Sequence, residues 1–225
     1  MGTFTIFYNF LINSEYVGAL KRTSHRIGYL QLLNRRLEGI IKKGGISRYM
    51  AIRDLIVNGD FESGTLSPWI ILNASTTVTF SHSGYFSAQL FGGDLNSFIG
   101  QFVPASAGQS FELIVSLSKI GVNPSPPVTI QVTYFDSLFN FLGFGKLTNI
   151  ATERVPNVEN NVTWLEVYQT TSPAPAGTTQ AFVLINKLPL TGSADILVDD
   201  VSLLLSEAMG SPGPTGPTGP TGVTG

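Results

Sequence analysis

Six glycines stand three residues apart at the C-terminal end of this 225-residue chain: Gly210, Gly213, Gly216, Gly219, Gly222 and Gly225. Between them lie Ser211-Pro212, then three Pro-Thr pairs, then Val223-Thr224. Only glycine fits at the crowded axis where three polyproline-II strands wind together, and the proline that follows it pre-sets the backbone angle. A disordered Gly/Pro-rich tail needs no strict period. The spacing therefore predicts the first turns of a triple helix, and with it two further copies of the chain. So short a run cannot hold three chains together alone, and it stops in mid-repeat, so the expectation is that the natural chain continues or that this is a fragment of it.

What precedes it is large enough for one domain with a real core. The chain contains no cysteine, which excludes disulfides, thiolate metal sites and cysteine nucleophiles. Charged residues make up only 12%, and the mean hydropathy of +0.21 comes with many Thr, Ser, Val and Phe, a composition that suits strands. No apolar run reaches the length of a membrane span.

The charge is unevenly distributed. Residues 1–49 hold eight basic side chains against two acidic ones, a net +6, whereas the rest holds five against thirteen, a net −8. Segments this different read as separate units. The basic segment contains one candidate amphipathic helix from Tyr29 to Lys43, carried by Leu30, Leu32, Leu33, Leu37, Ile40 and Ile41. One reading is a membrane-surface or nucleic-acid arm. The other is that translation starts at Met50, because Lys43-Gly44-Gly45 is what a purine-rich ribosome-binding sequence yields when read in frame. The second reading sets the expectation. A signal peptide does not fit, since the apolar start lacks a basic leader and a small-residue cleavage site. Three units follow: 1–49 upstream, 50–207 globular, and 208–225 triple-helical.

In the globular unit, short apolar stretches alternate with Gly, Asn, Pro and Ser punctuation. Val128, Ile130, Val132 and Tyr134 alternate with polar residues, as do Phe111, Leu113, Val115 and Leu117. Continuous apolar runs at Ala181–Ile185 and Ile196–Leu205 read as central or terminal strands. Eight to ten strands result, enough for two sheets packed face to face. No glycine loop leads from a strand into a helix, so a nucleotide-binding α/β fold is excluded.

The stretch Leu55-Ile-Val-Asn-Gly-Asp-Phe-Glu62, followed by Gly64 and Trp69, resembles the opening of jelly-roll carbohydrate-binding modules of the family 4 and 9 type. Ser83-Gly84-Tyr85 with Ala88, Gln101 to Phe111, and Val198-Asp-Asp-Val-Ser-Leu203 continue that pattern in order. With the Gly-Pro-Thr tail, the chain is more closely similar to the domain that precedes collagen-like repeats in spore-forming Firmicutes. The resemblance implies an all-β jelly-roll sandwich and display on a spore surface or outside the cell without a signal peptide. It also implies a structural calcium ion held by the Asp60 carbonyl, the Glu62 carboxylate and Asp199. On simple alternation Asp199 shares a face with Leu197, Val201 and Leu203 and points inward, where a carboxylate needs a cation or strong hydrogen bonds. Asp200 then points to solvent. The alternative is that Asp60 and Glu62 only cap a loop.

Sugar binding requires exposed aromatic faces. In Val162-Thr-Trp-Leu-Glu-Val-Tyr168, Leu165 and Val167 fall on one face, while Trp164, Glu166 and Tyr168 share the other. They form an outward aromatic pair with a carboxylate between them, serving either as a glycan platform or as cover for the sheet or a trimer interface. Trp69 reads as core. Three further rings lie close together at Phe139, Phe141 and Phe144. Enzyme signatures are weak: the unit's one histidine, His82, reads as a solvated turn residue, and adjacent Asp199 and Asp200 cannot flank one glycosidic bond. An acidic unit without a basic stripe argues against nucleic acid. Two readings remain: a trimeric head that nucleates a collagen-like filament, or a glycan-binding module carried in three copies.

Overall fold

In the computed structural model, which describes residues 52–206, ten β-strands form two antiparallel sheets and no helix is present among those residues. The first sheet runs β1 (Ile70–Leu72), β4 (Ser97–Pro104), β9 (Gln180–Lys187), β6 (Val128–Phe135) and β7 (Phe141–Ile150). The second runs β2 (Ala74–Thr77), β3 (Ser87–Leu90), β10 (Ile196–Ser206), β5 (Ser110–Lys119) and β8 (Leu165–Thr170). The expected all-β sandwich is thus present, and β9 and β10, the two apolar runs, occupy the central position of their sheets. The basic stretch 1–49 and the Gly-X-Y run lie outside the described residues. Among the described residues, no helix is long and apolar enough to cross a membrane.

Period-two patterning builds the core. Phe111, Leu113, Val115 and Leu117 of β5 face Val128, Ile130, Val132 and Tyr134 of β6 across the interlayer space, and all eight are fully buried. Each such side chain contributes about 1.5–3 kcal/mol relative to an exposed one. Trp69 is core, as expected, packing against Phe61 with ring centroids 5.9 Å apart and donating its indole N–H to the Asn58 carbonyl at 3.0 Å. The Tyr134 hydroxyl, buried with its ring, donates to the Ser172 carbonyl at 2.7 Å, which closes the end of the core near the β8–β9 connection.

Simple alternation fails at one place in β10. Its register against β5 shifts between Asp199 and Ser202, and Asp200 takes a left-handed backbone with φ of 46°. The bulge reverses parity along the strand. Ile196 and Val198 before it and Val201 and Leu203 after it all face the core. Asp199 therefore lies on the opposite, outer face, paired with Ser116. It is nevertheless fully buried, because the turn between β2 and β3 folds over it. The inward orientation expected for Asp199, and the solvent-facing one expected for Asp200, are both corrected by this bulge.

Candidate functional site

The outer face of the second sheet carries a row of polar side chains in register: Asp199 on β10, Ser116 on β5 and Glu166 on β8. Residues 81–86 lie across this row. Oδ2 of Asp199 accepts the backbone amides of His82 at 2.7 Å and Ser83 at 3.1 Å, and its Oδ1 accepts the Asp200 amide at 2.7 Å. Asp200 in turn accepts the Ser83 hydroxyl at 2.7 Å, and its Oδ2 lies 2.7 Å from His82 Nδ1. Glu166 approaches the other ring nitrogen at 3.4 Å, and the imidazole meets the Trp164 ring edge-on with centroids 5.4 Å apart. His82 is therefore a half-buried member of an acidic cluster, not a solvated turn residue. Sequence reading missed it because its acidic partners are 84 to 118 residues away.

These contacts shift the titrations. Burial alone would lower the His82 imidazole, but the hydrogen bond and charge of Asp200, aided by Asp199 and Glu166, outweigh it and raise the pKa above 6.5. Burial, reinforced by the charge of Asp200, pushes Asp199 up from 3.8 to about 8 against the opposing effect of its three amide donors.

Glu62 anchors the same turn from the other side. Its Oε1 accepts the amides of Tyr85 and Phe86, both at 2.7 Å. The Asp60 carboxylate bonds only weakly to the Glu62 amide, at 3.4 Å. Among the described residues no group of three or more His, Asp or Glu side chains is placed to hold a metal ion. The oxygens of Asp199 and one oxygen of Glu62 are taken up by backbone amides, the loop-capping role that was the alternative for Glu62.

Along the outer side of β8, the two aromatic rings have different surroundings. Trp164 lies just before the strand, half-buried against His82, and its indole N–H is buried without a hydrogen-bond partner. Leu165 and Val167 face the core as the alternation required. Tyr168 and Glu166 remain on the outer face; Tyr168 is 44% exposed and its hydroxyl donates to Glu112 Oε2 at 2.6 Å. Because β7 and β8 are edge strands of opposite sheets, an open groove runs between them. It is lined by Tyr168, Glu166 and Gln169 from β8, Thr148 and Asn149 from β7, and Arg154 from the following loop. Groove and His82 cluster share Glu166. Asn149, Gln169 and Arg154 carried no sequence signal, since only the sandwich brings the two edges together.

No protein-family model matches the chain, and no curated protein matches it. Solved structures match its fold. The CBM22-1 xylan-binding domain from Paenibacillus barcinonensis is similar with a TM-score of 0.50 at 17% identity, covering 72% of this chain and all of that one. A family 16 carbohydrate-binding module gives 0.51 at 17% identity, over 66% of this chain and 98% of the module. The enzymatically active domain of bacteriophage CBA120 tailspike protein 4 gives 0.54 at 14% identity, and this chain spans only 21% of its length. A cyclase from Fischerella is also similar, at 0.53 and 14% identity. The shared property is a jelly-roll sandwich of the kind carbohydrate-binding modules adopt, a fold that also serves enzymes.

Proposed function

We propose that residues 50–207 form a non-catalytic glycan-binding module, with the groove between β7 and β8 as its binding surface. The observation that carries this reading is the exposed Tyr168 ring beside a groove rich in hydrogen-bonding groups. A tyrosine face offers a flat apolar surface for the C–H face of a pyranose, while carboxylate, amide and guanidinium groups around it bond the hydroxyls. Glu166, Gln169, Asn149 and Arg154 supply those groups. The Tyr168–Glu112 hydrogen bond holds the ring in place, so little side-chain entropy is lost on binding. Trp164, packed edge-on against His82, acts as a support for that ring rather than as the second platform. The likeness of the fold to carbohydrate-binding modules favours the same reading.

On this proposal the Gly-X-Y run is a collagen-like stalk that displays three modules. Three weak sites on one stalk gain avidity without any new contact. Display on a spore or cell surface is the setting that the family resemblance implies. The test is a glycan array on the full chain, followed by titration of the best ligand against wild type and Tyr168→Ala. Saturable binding that Tyr168→Ala abolishes, with the thermal melt unchanged, supports the reading. Binding that survives Tyr168→Ala, or no binding to any glycan, refutes it.

A further inference from the structure

The outer face of the first sheet carries a feature that glycan binding at β8 leaves unused. Six phenylalanines form one contiguous surface there. Phe102 of β4 meets Phe182 of β9 at a centroid distance of 4.5 Å, Phe139 at 5.4 Å and Phe135 of β6 at 6.0 Å. Phe135 then meets Phe141 of β7 at 6.4 Å, and Phe141 meets Phe144 at 5.1 Å. Phe139, Phe141 and Phe144 are 60%, 56% and 53% exposed. The one charged residue from Phe135 to Gly145 is Asp136, whose carboxylate is folded into its own loop by the amides of Leu138 and Asn140 and the Asn140 side chain. An exposed apolar surface this continuous marks an interaction site.

Strand register places this surface at the end of the sandwich from which the chain leaves. Pro104, the last residue of β4, pairs with Gln180, which pairs with Phe135, which pairs with Phe141. A five-residue turn joins Pro104 to Ser110, and Ser110 pairs with Ser206, the last residue of β10. Only residues 207–209 separate Ser206 from Gly210, the first glycine of the period-three run. A triple helix starting at Gly210 requires three copies of this chain to converge there. Each copy would bring its phenylalanine surface toward the same axis within a few residues of the stalk.

We infer that the Phe102–Phe139–Phe141–Phe144 surface docks a second copy of this chain, and that three such contacts close a ring of heads at the start of the stalk. A head-to-tail contact around a three-fold axis buries a different part of the surface on each neighbour and closes without leaving an edge. The phenylalanines supply the large, rigid anchors that interfaces concentrate at their centres. Ring closure then supplies the local concentration that nucleating a triple helix needs. This inference rests on the trimeric display proposed above but not on the glycan groove, which is lined by the opposite end of β7, at Thr148 and Asn149.

The test is the mass of the full chain by sedimentation across a dilution series, for wild type, Phe141→Glu/Phe144→Glu and Leu138→Glu/Phe139→Glu. The second pair lies on the exposed turn before β7, where a charge leaves the strands intact. The expected result is a trimeric wild type and variants whose self-association is weaker by roughly a hundred-fold or more, with near-UV circular dichroism and glycan titration per chain unchanged. Variants that stay trimeric overturn the surface while leaving trimeric display in place. A wild type that stays monomeric overturns both. A monomeric chain that binds neutral phosphatidylcholine vesicles through these rings also overturns the inference, and assigns the surface to lipid. Loss of glycan binding in Tyr168→Ala with the trimer intact leaves this inference unaffected.

Discussion

The Nδ1 atom of His82 lies 2.7 Å from Oδ2 of Asp200, so the turn between β2 and β3 is tied to the bulge of β10 by an imidazole–carboxylate contact. The histidine's backbone amide is bonded at the same time to Asp199. Two neighbouring carboxylates thus hold one residue by its main chain and its side chain. Burial and the charge of Asp200 leave Asp199 titrating near 8.

Stability should therefore fall as pH rises. The Asp199 carboxyl has a raised pKa in the folded state, so from about pH 4 to about pH 8 the native chain binds more protons than the unfolded one. His82, also raised, acts in the same direction above its ordinary value of 6.5. Both contributions are fully present at low pH and are lost as pH climbs through the folded pKa values. Denaturant midpoints taken at steps between pH 4.5 and 8.5 should decline, and Asp199→Asn should flatten the decline while lowering the whole curve. A wild-type midpoint that rises steadily over that range would contradict this account.

The sandwich itself was readable because a period of two needs no distant information. The stripes Phe111–Leu117 and Val128–Tyr134 became buried faces of β5 and β6 as their alternation required. Asp199 was misplaced for the same reason: alternation assumes an unbroken pleat, and the bulge at Asp200 inserts a change of parity that adjacent Val198-Asp-Asp-Val201 does not announce. Tyr168 and Glu166 were legible on β8, but their neighbours in the groove come from β7 and the loop after it. Which edge strands meet is decided by topology and not by any local pattern. The phenylalanine surface was half legible. The exposed rings of Phe139, Phe141 and Phe144 follow from a turn in the sequence, whereas Phe102 and Phe182 join them only through the β4–β9 register.

Calcium should not alter the melting temperature. The carboxylates of Glu62 and Asp199 are engaged by five backbone amides, two at Glu62 Oε1 and three at Asp199. A cation would have to displace those bonds before it gained its own, and at Asp199 it would also have to displace a proton that the carboxyl holds up to about pH 8. Thermal melts of the full chain in calcium and in chelator should coincide. A rise of several degrees with calcium would show that the turn rearranges into an oxygen cage after all.

Gly84 should tolerate no side chain, and the penalty should depend on Glu62. Its backbone is left-handed, with φ of 64°, and a Cβ built there would lie 2.3 Å from the Glu62 side-chain carbon Cδ and 2.4 Å from Oε1. Gly84→Ala thus incurs two separate costs: about 1–2 kcal/mol for an alanine in the left-handed region, and the displacement of the carboxylate that holds Tyr85 and Phe86. Glu62→Ala removes the carboxylate, so the double variant should pay only the first cost on top of the lost hydrogen bonds. Residues in direct contact typically couple by 0.5–3 kcal/mol, and here the sign is fixed: the double variant should be more stable than the sum of the single losses predicts. Equilibrium urea unfolding of the four chains measures this coupling. Strict additivity would mean that Glu62 does not hold this turn.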